Sequence, residues 1–528
     1  MCRSADGLPL GLWHDNRDVE GSGVRMTELL AALSFGADLG LGHPTEHVLR
    51  QTHIALHLAE RLGMDEGERE VVYYASMLAW LGCHVDAYEQ AKWFGDDQTF
   101  KHEAAYVDDG DILGTVGFLL RHIGDGRPLG ERVKAGVGFL ADGRHDLGHM
   151  YENHWRAASA LSNDLGLSDA VRDSVAQTFE RWDGKGEPEG VKGEELLLSA
   201  RLVHLADVAA VFYHTGGVTA AVGVARARRG GQFDPTLVKL FEVEADMIFT
   251  QLHQVTTWDA VMSKAPTASR ELADGELDRV LLAVADFVDL KSPFTLGHSR
   301  GVAELTAGAA GELGADVETV RRAGLVHDLG RMGVANAIWD KRAPLTAGEM
   351  ERVRLHPYYA DRILVSVPAL ARLAPVAVQH HERLDGSGYP RGSTAESLTP
   401  EGRLLAVADC YLAWSEPRPH REALDADRVA SRLRVEVRLG RLDGAAVDAV
   451  LRAAGHRVRR NREWPAGLTA REVEVLRHIA RGMSQKEIAE HLVISRKTAN
   501  NHVEHIYAKI GVSNRAMASL FATRHGLL

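Results

Sequence analysis

Residues 379–390 read QHHERLDGSGYP, and residues 177–188 read QTFERWDGKGEP. These are one phrase written twice at an offset of 202 positions, with Thr178 and Phe179 in the first copy where the second has His380 and His381. The same offset carries His154 onto His356, Asp183 onto Asp385, Asp207 onto Asp409 and Arg201 onto Arg403 without a gap. A repeat on this scale means two blocks of like fold. Further upstream His47 falls on His298. After a three-residue insertion LAWLG falls on LVHDLG, so Ala79 and Trp80 stand where the second block has His327 and Asp328.

The blocks are helical by periodicity. Residues 55–82, ALHLAERLGMDEGEREVVYYASMLAWLG, space apolar residues three and four apart, and LDRVLLAVADFVDL at 277–290 opens the second block in the same way. Almost nothing reads as strand. The fold expected is all-α: tandem helical domains and a C-terminal four-helix module containing a helix-turn-helix. The boundaries expected are a flexible tail over 1–25, a first block over 26–262, a linker over 263–277, a second block over 278–455, a linker over 456–466 and the module over 467–528.

Hydrophobic residues at 45% and charged ones at 25% are globular averages. Three scattered cysteines exclude a disulfide scaffold and a thiolate zinc site. No uninterrupted apolar run approaches the roughly 18 residues of a membrane span, and the first residues lack the apolar stretch of a signal peptide. A cytoplasmic protein with no membrane partner is expected. The net charge of −12 is uneven: from Pro465 onward nine Lys and Arg face five Asp and Glu, so a basic tail ends an acidic body, as nucleic-acid contact would require.

The second block concentrates His298, the pair His327 and Asp328, His356, the pair His380 and His381, and Asp409. Imidazoles and carboxylates without thiolates suit iron, manganese or zinc and suit calcium poorly. They are enough for two divalent cations, the arrangement that activates water against a phosphoryl centre. The first block is an internal control, because it keeps the architecture without four of these side chains. The control is mixed, since His47, His154 and Asp207 are retained there. The turn LDGSGYP, with Asp385, Gly388, Tyr389 and Pro390, is by itself ordinary turn chemistry.

These residues resemble the HD-GYP phosphohydrolases, a branch of the HD metal-dependent hydrolases. GHSRGVAEL, HDLGRMGV, LHPYYADRIL, HHERLDGSGYP and RLLAVADCYLA carry the match over about 280–455, and 27–250 is a degenerate copy. The resemblance implies a bimetal centre held by His327, Asp328, His356, His380, His381 and Asp409, with Asp328 bridging and His298 completing the coordination of the first metal. It implies hydrolysis of a cyclic dinucleotide, chiefly cyclic di-GMP, with Asp328 and Arg331 in catalytic roles. It also implies that Gly388, Tyr389 and Pro390 lie beside the site and offer a docking point for diguanylate cyclases. Arg331 replaces the family's usual Lys, which keeps charge and changes geometry. Phe294 stands where a trinuclear subset has Glu, so two metals are expected.

The tail LTAREVEVLRHIARGMSQKEIAEHLVISRKTANNHVEHIYAKIGVSNRAMASLFATRHGLL has another grammar. Thr469 with Glu472 and Ser484 with Glu487 have capping-box spacing, Gly482 ends one helix, and Ser495 opens a long helix that Gly511 stops. The exposed face of that helix carries Arg496, Lys497, Asn500, Asn501 and His505, which suit base edges, while Lys486, Thr498 and Lys509 suit phosphates. The stretch resembles the LuxR-type response-regulator DNA-binding domain. That resemblance implies double-stranded promoter DNA as partner and a dimer face on the last helix, around residues 517–525, so a homodimer is expected.

The reading is a cytoplasmic signalling protein and transcriptional regulator in which a metal-dependent cyclic dinucleotide phosphodiesterase is joined to a sequence-specific DNA-binding domain. Two alternatives stay open on these residues: a non-catalytic HD scaffold that senses or dimerises to control the DNA-binding domain, and an HD hydrolase of another nucleotide.

Overall fold

The computed structural model describes residues 23–139, 144–267, 271–455 and 464–528. The tail proposed for 1–25 lies outside these up to residue 22. Its last residues are not loose: Val24–Arg25 forms a two-stranded antiparallel sheet with Glu271–Leu272, Val24 opposite Leu272. The stretch read as a linker, 263–277, therefore contains a strand and the start of the helix Asp274–Asp289. This is the only named sheet among the described residues, and the rest is helix and turn.

The helix Met26–Leu41 shows why the two blocks do not behave as beads on a string. Its sequence, MTELLAALSFGADLGL, is apolar almost all round, and a helix of that kind has to be enclosed. One side packs on His47–Arg61 and Glu66–Leu78 of its own block; the other packs on the 3-10 turn Leu329–Gly333 and the helix His356–Val365 of the second. The buried hydrophobic residues of both blocks accordingly form one continuous core.

The repeat survives in detail. Glu180 accepts hydrogen bonds from the backbone N–H groups of Glu189 and Gly190, and Glu382 accepts them from Arg391 and Ser393, so each block staples its glycine-rich loop with the same carboxylate. Arg201 pairs with Asp234 at 2.7 Å and Arg403 with Asp443 at 3.1 Å. His47 Nε2 meets Asp207 at 2.9 Å, as His298 Nε2 meets Asp409 at 3.2 Å.

One helix, Leu198–Ala227, is long and apolar enough to cross a membrane by length and composition alone. It is broken by non-helical backbone at Gly216 and Gly217, and its Asp207 is spent on His47. Its contacts with His47–Arg61, Glu66–Leu78 and Pro235–Gln254 make it a core helix of the first block.

The C-terminal module has its own core of Val473, Leu476, Ile479, Ile488, Val503, Ile506 and their neighbours. Its helices are Ala470–Ala480, Gln485–His491, Arg496–Ile510 and Arg515–Arg524. Both capping boxes form as the spacing predicts, Ser495 caps the long helix by accepting from Thr498 N–H, and Gly511 ends it in the left-handed region. Of the second linker, residues 456–463 lie outside the described residues, and Pro465–Gly467 forms a short 3-10 turn.

Candidate metal centre

Five segments deliver the ligand-type side chains, mostly at helix ends, where a side chain can point along rather than across the bundle. His298 is the first residue of His298–Leu313 and His356 the first of His356–Val365. His327 and Asp328 lie between the helix Val317–Val326 and the 3-10 turn Leu329–Gly333. His380 and His381 follow Ala374–Ala377, and Asp409 sits within Pro400–Ser415. Gly330 is required for this convergence: a β-carbon there would lie 1.8 Å from the carbonyl oxygen of His356.

The side chains form two groups, His298, His327 and Asp328 in one and His356, His380 and His381 in the other, each with its ligand atoms within 4.8 Å of one another. Asp328 stands between them. Its Oδ2 faces His327 at 3.6 Å and His298 at 4.0 Å, and its Oδ1 faces His356 at 3.5 Å and His380 at 3.8 Å. Asp409 spans the same pair of groups, with Oδ1 3.2 Å from His298 and Oδ2 3.7 Å from His381. The seven residues proposed as ligands thus occupy one place.

The hydrogen bonds fix which ring nitrogens face inward. His327, His356 and His380 each hold Nδ1 against a backbone carbonyl three residues back, on Gly324, Val353 and Ala377 at 2.8, 2.6 and 2.6 Å. A carbonyl only accepts, so Nδ1 carries the proton and Nε2 presents a lone pair. His356 Nε2 and His380 Nε2 then lie 3.0 Å apart as two acceptors, and His327 Nε2 is buried with no partner. A cation would satisfy all three lone pairs at once, so the donor set fits divalent metal.

The electrostatics agree. Burial brings His356 down to about 4 and His380 to about 3, so both are neutral ligands at pH 7. Burial alone would raise Asp328, but His327, Arg331, His356 and His298 outweigh it and hold the carboxylate well below its usual range. Burial would lower His298, yet the Glu416 carboxylate 2.9 Å from Nδ1 and the bond to Asp409 raise it to about 10. His298 therefore holds a proton at neutral pH until a cation displaces it, and the sign follows: loading strengthens as pH rises. Calorimetric titration of apoprotein with Mn²⁺ in buffers of different ionisation enthalpy is expected to show about one proton released per chain near pH 7.5. The apparent affinity should fall about tenfold per pH unit lost, and Glu416→Gln should release less.

Glu416 was not legible as a ligand partner, although it lies seven residues, two helical turns, beyond Asp409 and so on the same face. Two more residues come from the first block. Gln98 donates to the carbonyls of Leu39 at 2.9 Å and Met332 at 3.3 Å. The fully buried Asp97 accepts from Asn336 N–H at 2.6 Å and from Lys101 at 3.1 Å, with Lys291 Nζ at 3.7 Å. The degenerate block thereby braces the turn that carries Asp328 and Arg331. No sequence spacing could reveal a contact across more than 230 residues.

Arg331 reaches Asp328 Oδ2 at 3.0 Å and lies 4.0 Å over the Trp339 ring. In the loop, Tyr389 packs its ring 4.6 Å from His381, and Gly388 lies so tight on the chain that a β-carbon would come within 2.4 Å of Arg383 N. Pro390 follows in the same loop. Asp385 is not brought to the centre: its carboxylate closes the turn by accepting from Ser387 N–H and Oγ at 3.0 and 2.6 Å.

Among the described residues, the first block shows no such cluster. Trp80 and Phe179 lie with ring centroids 5.8 Å apart, and Phe179 lies 4.7 Å from His154, so aromatic rings stand where the second block has ligand-type side chains. His154 spends Nε2 on the Ala79 carbonyl at 2.6 Å. Trp80→Ala is expected to cost about 3 kcal/mol of stability through the cavity it opens, read as a lower denaturant midpoint, with the metal content per chain unchanged.

On the DNA-binding module, Lys486, Arg496, Lys497, Thr498, Asn501 and His505 are exposed, and Asn500, half-buried, donates to Glu504 at 2.7 Å. Lys509 stands apart: its ammonium is held by Glu472 at 2.7 Å and by the Gly467 carbonyl at 3.1 Å, on the side of the first module helix. The last helix is enclosed. Leu520 joins the core of the two blocks, Arg515 pairs with Glu89 at 3.1 Å, and Arg524 pairs with Asp164. Gly297, the residue before His298, faces Thr523 and Leu528.

Comparison with known proteins agrees with both halves of this description. The chain matches the HD domain family over 145–237 and 283–445, and the family of bacterial regulatory proteins of luxR type over 466–522. It is 33% identical to the 3′3′-cGAMP-specific phosphodiesterase 3 of Vibrio cholerae over 410 residues, which is 76% of this chain and 89% of that protein. It is 35% identical to a cyclic di-GMP phosphodiesterase of Pseudomonas aeruginosa over 29% of this chain and 38% of that one. The crystal structure of a V. cholerae cyclic GMP-AMP specific phosphodiesterase superposes with a TM-score of 0.57 at 26% identity, covering 83% of this chain and 99% of the other. The chain belongs to the HD-GYP branch of the HD metal-dependent phosphohydrolases, with a luxR-family DNA-binding module on the same polypeptide.

Proposed function

We propose that this chain is a homodimeric, one-component regulator that hydrolyses a cyclic dinucleotide, 3′3′-cGAMP or cyclic di-GMP, at a two-metal centre and binds promoter DNA through its C-terminal module. The observation that carries the reading is Asp328, one oxygen toward each group of histidines. His298, His327, Asp328 and Asp409 would hold one cation, and Asp328, His356, His380, His381 and Asp409 the other. Iron, manganese or zinc suits this nitrogen and oxygen set. When bound, such a pair supplies a water of lowered pKa and neutralises charge on a phosphoryl oxygen. Arg331, fixed between Asp328 and Trp339, presents its guanidinium edge to a non-bridging phosphate oxygen. Tyr389 offers a ring face beside His381 on which a base can stack. Asp328 and Asp409, ionised in the dry centre, keep the charge of the site fixed while Glu416 orients His298.

The enclosure of the last helix supports a further part of the reading, that the phosphohydrolase half controls the DNA-binding half. Gly297, beside His298, faces Thr523 of that helix, which gives a route between the two. The test is to load purified protein with Mn²⁺ or Fe²⁺ and incubate it with 3′3′-cGAMP, cyclic di-GMP and linear dinucleotides. Cleavage of a cyclic dinucleotide that chelator abolishes is the expected result. A metal-loaded protein that cleaves only linear dinucleotides would overturn the substrate, and one that cleaves none would favour the sensor.

A further inference from the structure

Arg331 lies 4.0 Å over the ring of Trp339, and that ring meets His356 edge to face at a centroid distance of 5.4 Å. The indole Nε1–H is buried with no hydrogen-bond partner among the described residues, so no bond of its own sets the ring. Its place is that of the helix Asn336–Trp339 which carries it. A helix of four residues does not hold itself together in water. This one sits in a satellite cluster with Val334, Val353 and Leu345, apart from the main core. Other groups must fix it.

They are polar. Asn336 N–H, at the start of the helix, donates to Asp97 Oδ1 at 2.6 Å. Asn336 Nδ2 donates to the Lys291 carbonyl at 2.5 Å and to Asp340 Oδ2 at 2.9 Å, and Ser292 Oγ donates to Asp340 Oδ1 at 2.6 Å. Of these partners only Asp97 belongs to the first block, whose helix Ala87–Phe94 also packs on Asn336–Trp339. Asp97 is itself held firmly. It is the fully buried first residue of Asp97–Ala104, and its Oδ2 accepts from Lys101 Nζ at 3.1 Å with Lys291 Nζ at 3.7 Å. Burial alone would raise its pKa, but Lys291, Lys101 and Asn336 N–H hold it below the usual range, so the acceptor is charged at pH 7 and the bond to Asn336 is of the stronger kind.

We infer that Asp97 of the first block is a positioning residue for Arg331: it fixes the start of Asn336–Trp339 and hence the ring against which the guanidinium lies. The first block is then part of the catalytic apparatus without touching a reacting atom. This rests on the hydrolysis proposed above, with Arg331 at a phosphate oxygen.

The test is steady-state turnover of a cyclic dinucleotide by the Mn²⁺-loaded full chain. Asp97→Asn should lower kcat about 10- to 100-fold, the scale on which ~1 Å of misplacement is felt. KM should stay within about twofold, because a misaimed Arg331 fails where charge develops rather than where substrate first binds. Metal content per chain should not change. Trp339→Leu should show the same split between kcat and KM. In an Arg331→Ala background Asp97→Asn should have no further effect, since two residues acting through one contact do not add. Lys101→Met disturbs the same buried cluster and spares the bond to Asn336, so its kcat should equal that of wild type. Asp97→Asn combined with Lys101→Met keeps the net charge; it should lose as much kcat as Asp97→Asn and replaces that variant if the lone change does not fold. A kcat unchanged in these Asp97 variants, a loss matched by Lys101→Met, a loss that follows metal content, or a loss undiminished without Arg331 would end this inference alone. A metal-loaded wild-type chain that cleaves no cyclic dinucleotide would end the reading it rests on and this inference with it.

Discussion

Asp328→Asn is expected to reduce cyclic dinucleotide turnover by about 10³-fold or more, the scale on which removal of a group stabilising transition-state charge is felt. Asparagine keeps the shape and loses the charge. It offers one oxygen where Asp328 turns a separate oxygen to each histidine group, so it can serve one cation and not both. Metal content per chain should fall with activity, whereas loss of a remote structural residue would leave the metal in place. Since the change also strips Arg331 of its partner at 3.0 Å, His380→Ala is the companion variant: it leaves the Asp328–Arg331 pair untouched and should fail equally. Normal turnover in either variant would remove the two-metal account.

Reversing Glu89 and Asp164 to arginine is expected to raise affinity for promoter DNA about tenfold or more, within the 5–150-fold range of ordinary coupling free energies. Both residues lie on the phosphohydrolase side, so the DNA-binding module itself is unchanged. Each repels a cation of the last helix, Arg515 and Arg524, that it holds in the docked state. Arg496, Lys497 and Asn501 are exposed already, so what release supplies is freedom of the module to meet DNA as a pair rather than a new reading face. Fluorescence anisotropy with a promoter fragment selected against the isolated wild-type chain measures this. Equal affinity of variant and wild type would show that docking does not restrain the module.

What the sequence made legible follows from the range of each interaction. Capping boxes at Thr469 and Ser484, the glycine stop at 511 and the helical periods are set within a few residues, and they formed as read. The cluster of ligand-type side chains was legible because two blocks differ at Ala79, Trp80, Thr178 and Phe179 while sharing a backbone plan, a comparison that separates chemistry from architecture. The retained His47, His154 and Asp207 left that comparison mixed. The structure gives their reason: His47 and Asp207 bond each other, and His154 is spent on the Ala79 carbonyl. The shared core of the blocks was not legible. It depends on Met26–Leu41 being enclosed from both sides, and on Asp97 meeting Asn336, which are tertiary choices that a helical period does not encode. Asp385 is set locally: it lies in the turn LDGSGYP, and its short side chain is satisfied there by Ser387.

Anomalous scattering from a crystal of metal-loaded protein, collected on both sides of the metal edge, tests the central claim most directly. Two peaks flanking the Asp328 carboxylate are the result this account predicts, one beside His298 and His327 and the other beside His356, His380 and His381. A fully loaded crystal with no peak there, or with a single ion that leaves Asp328 on one side only, would contradict it.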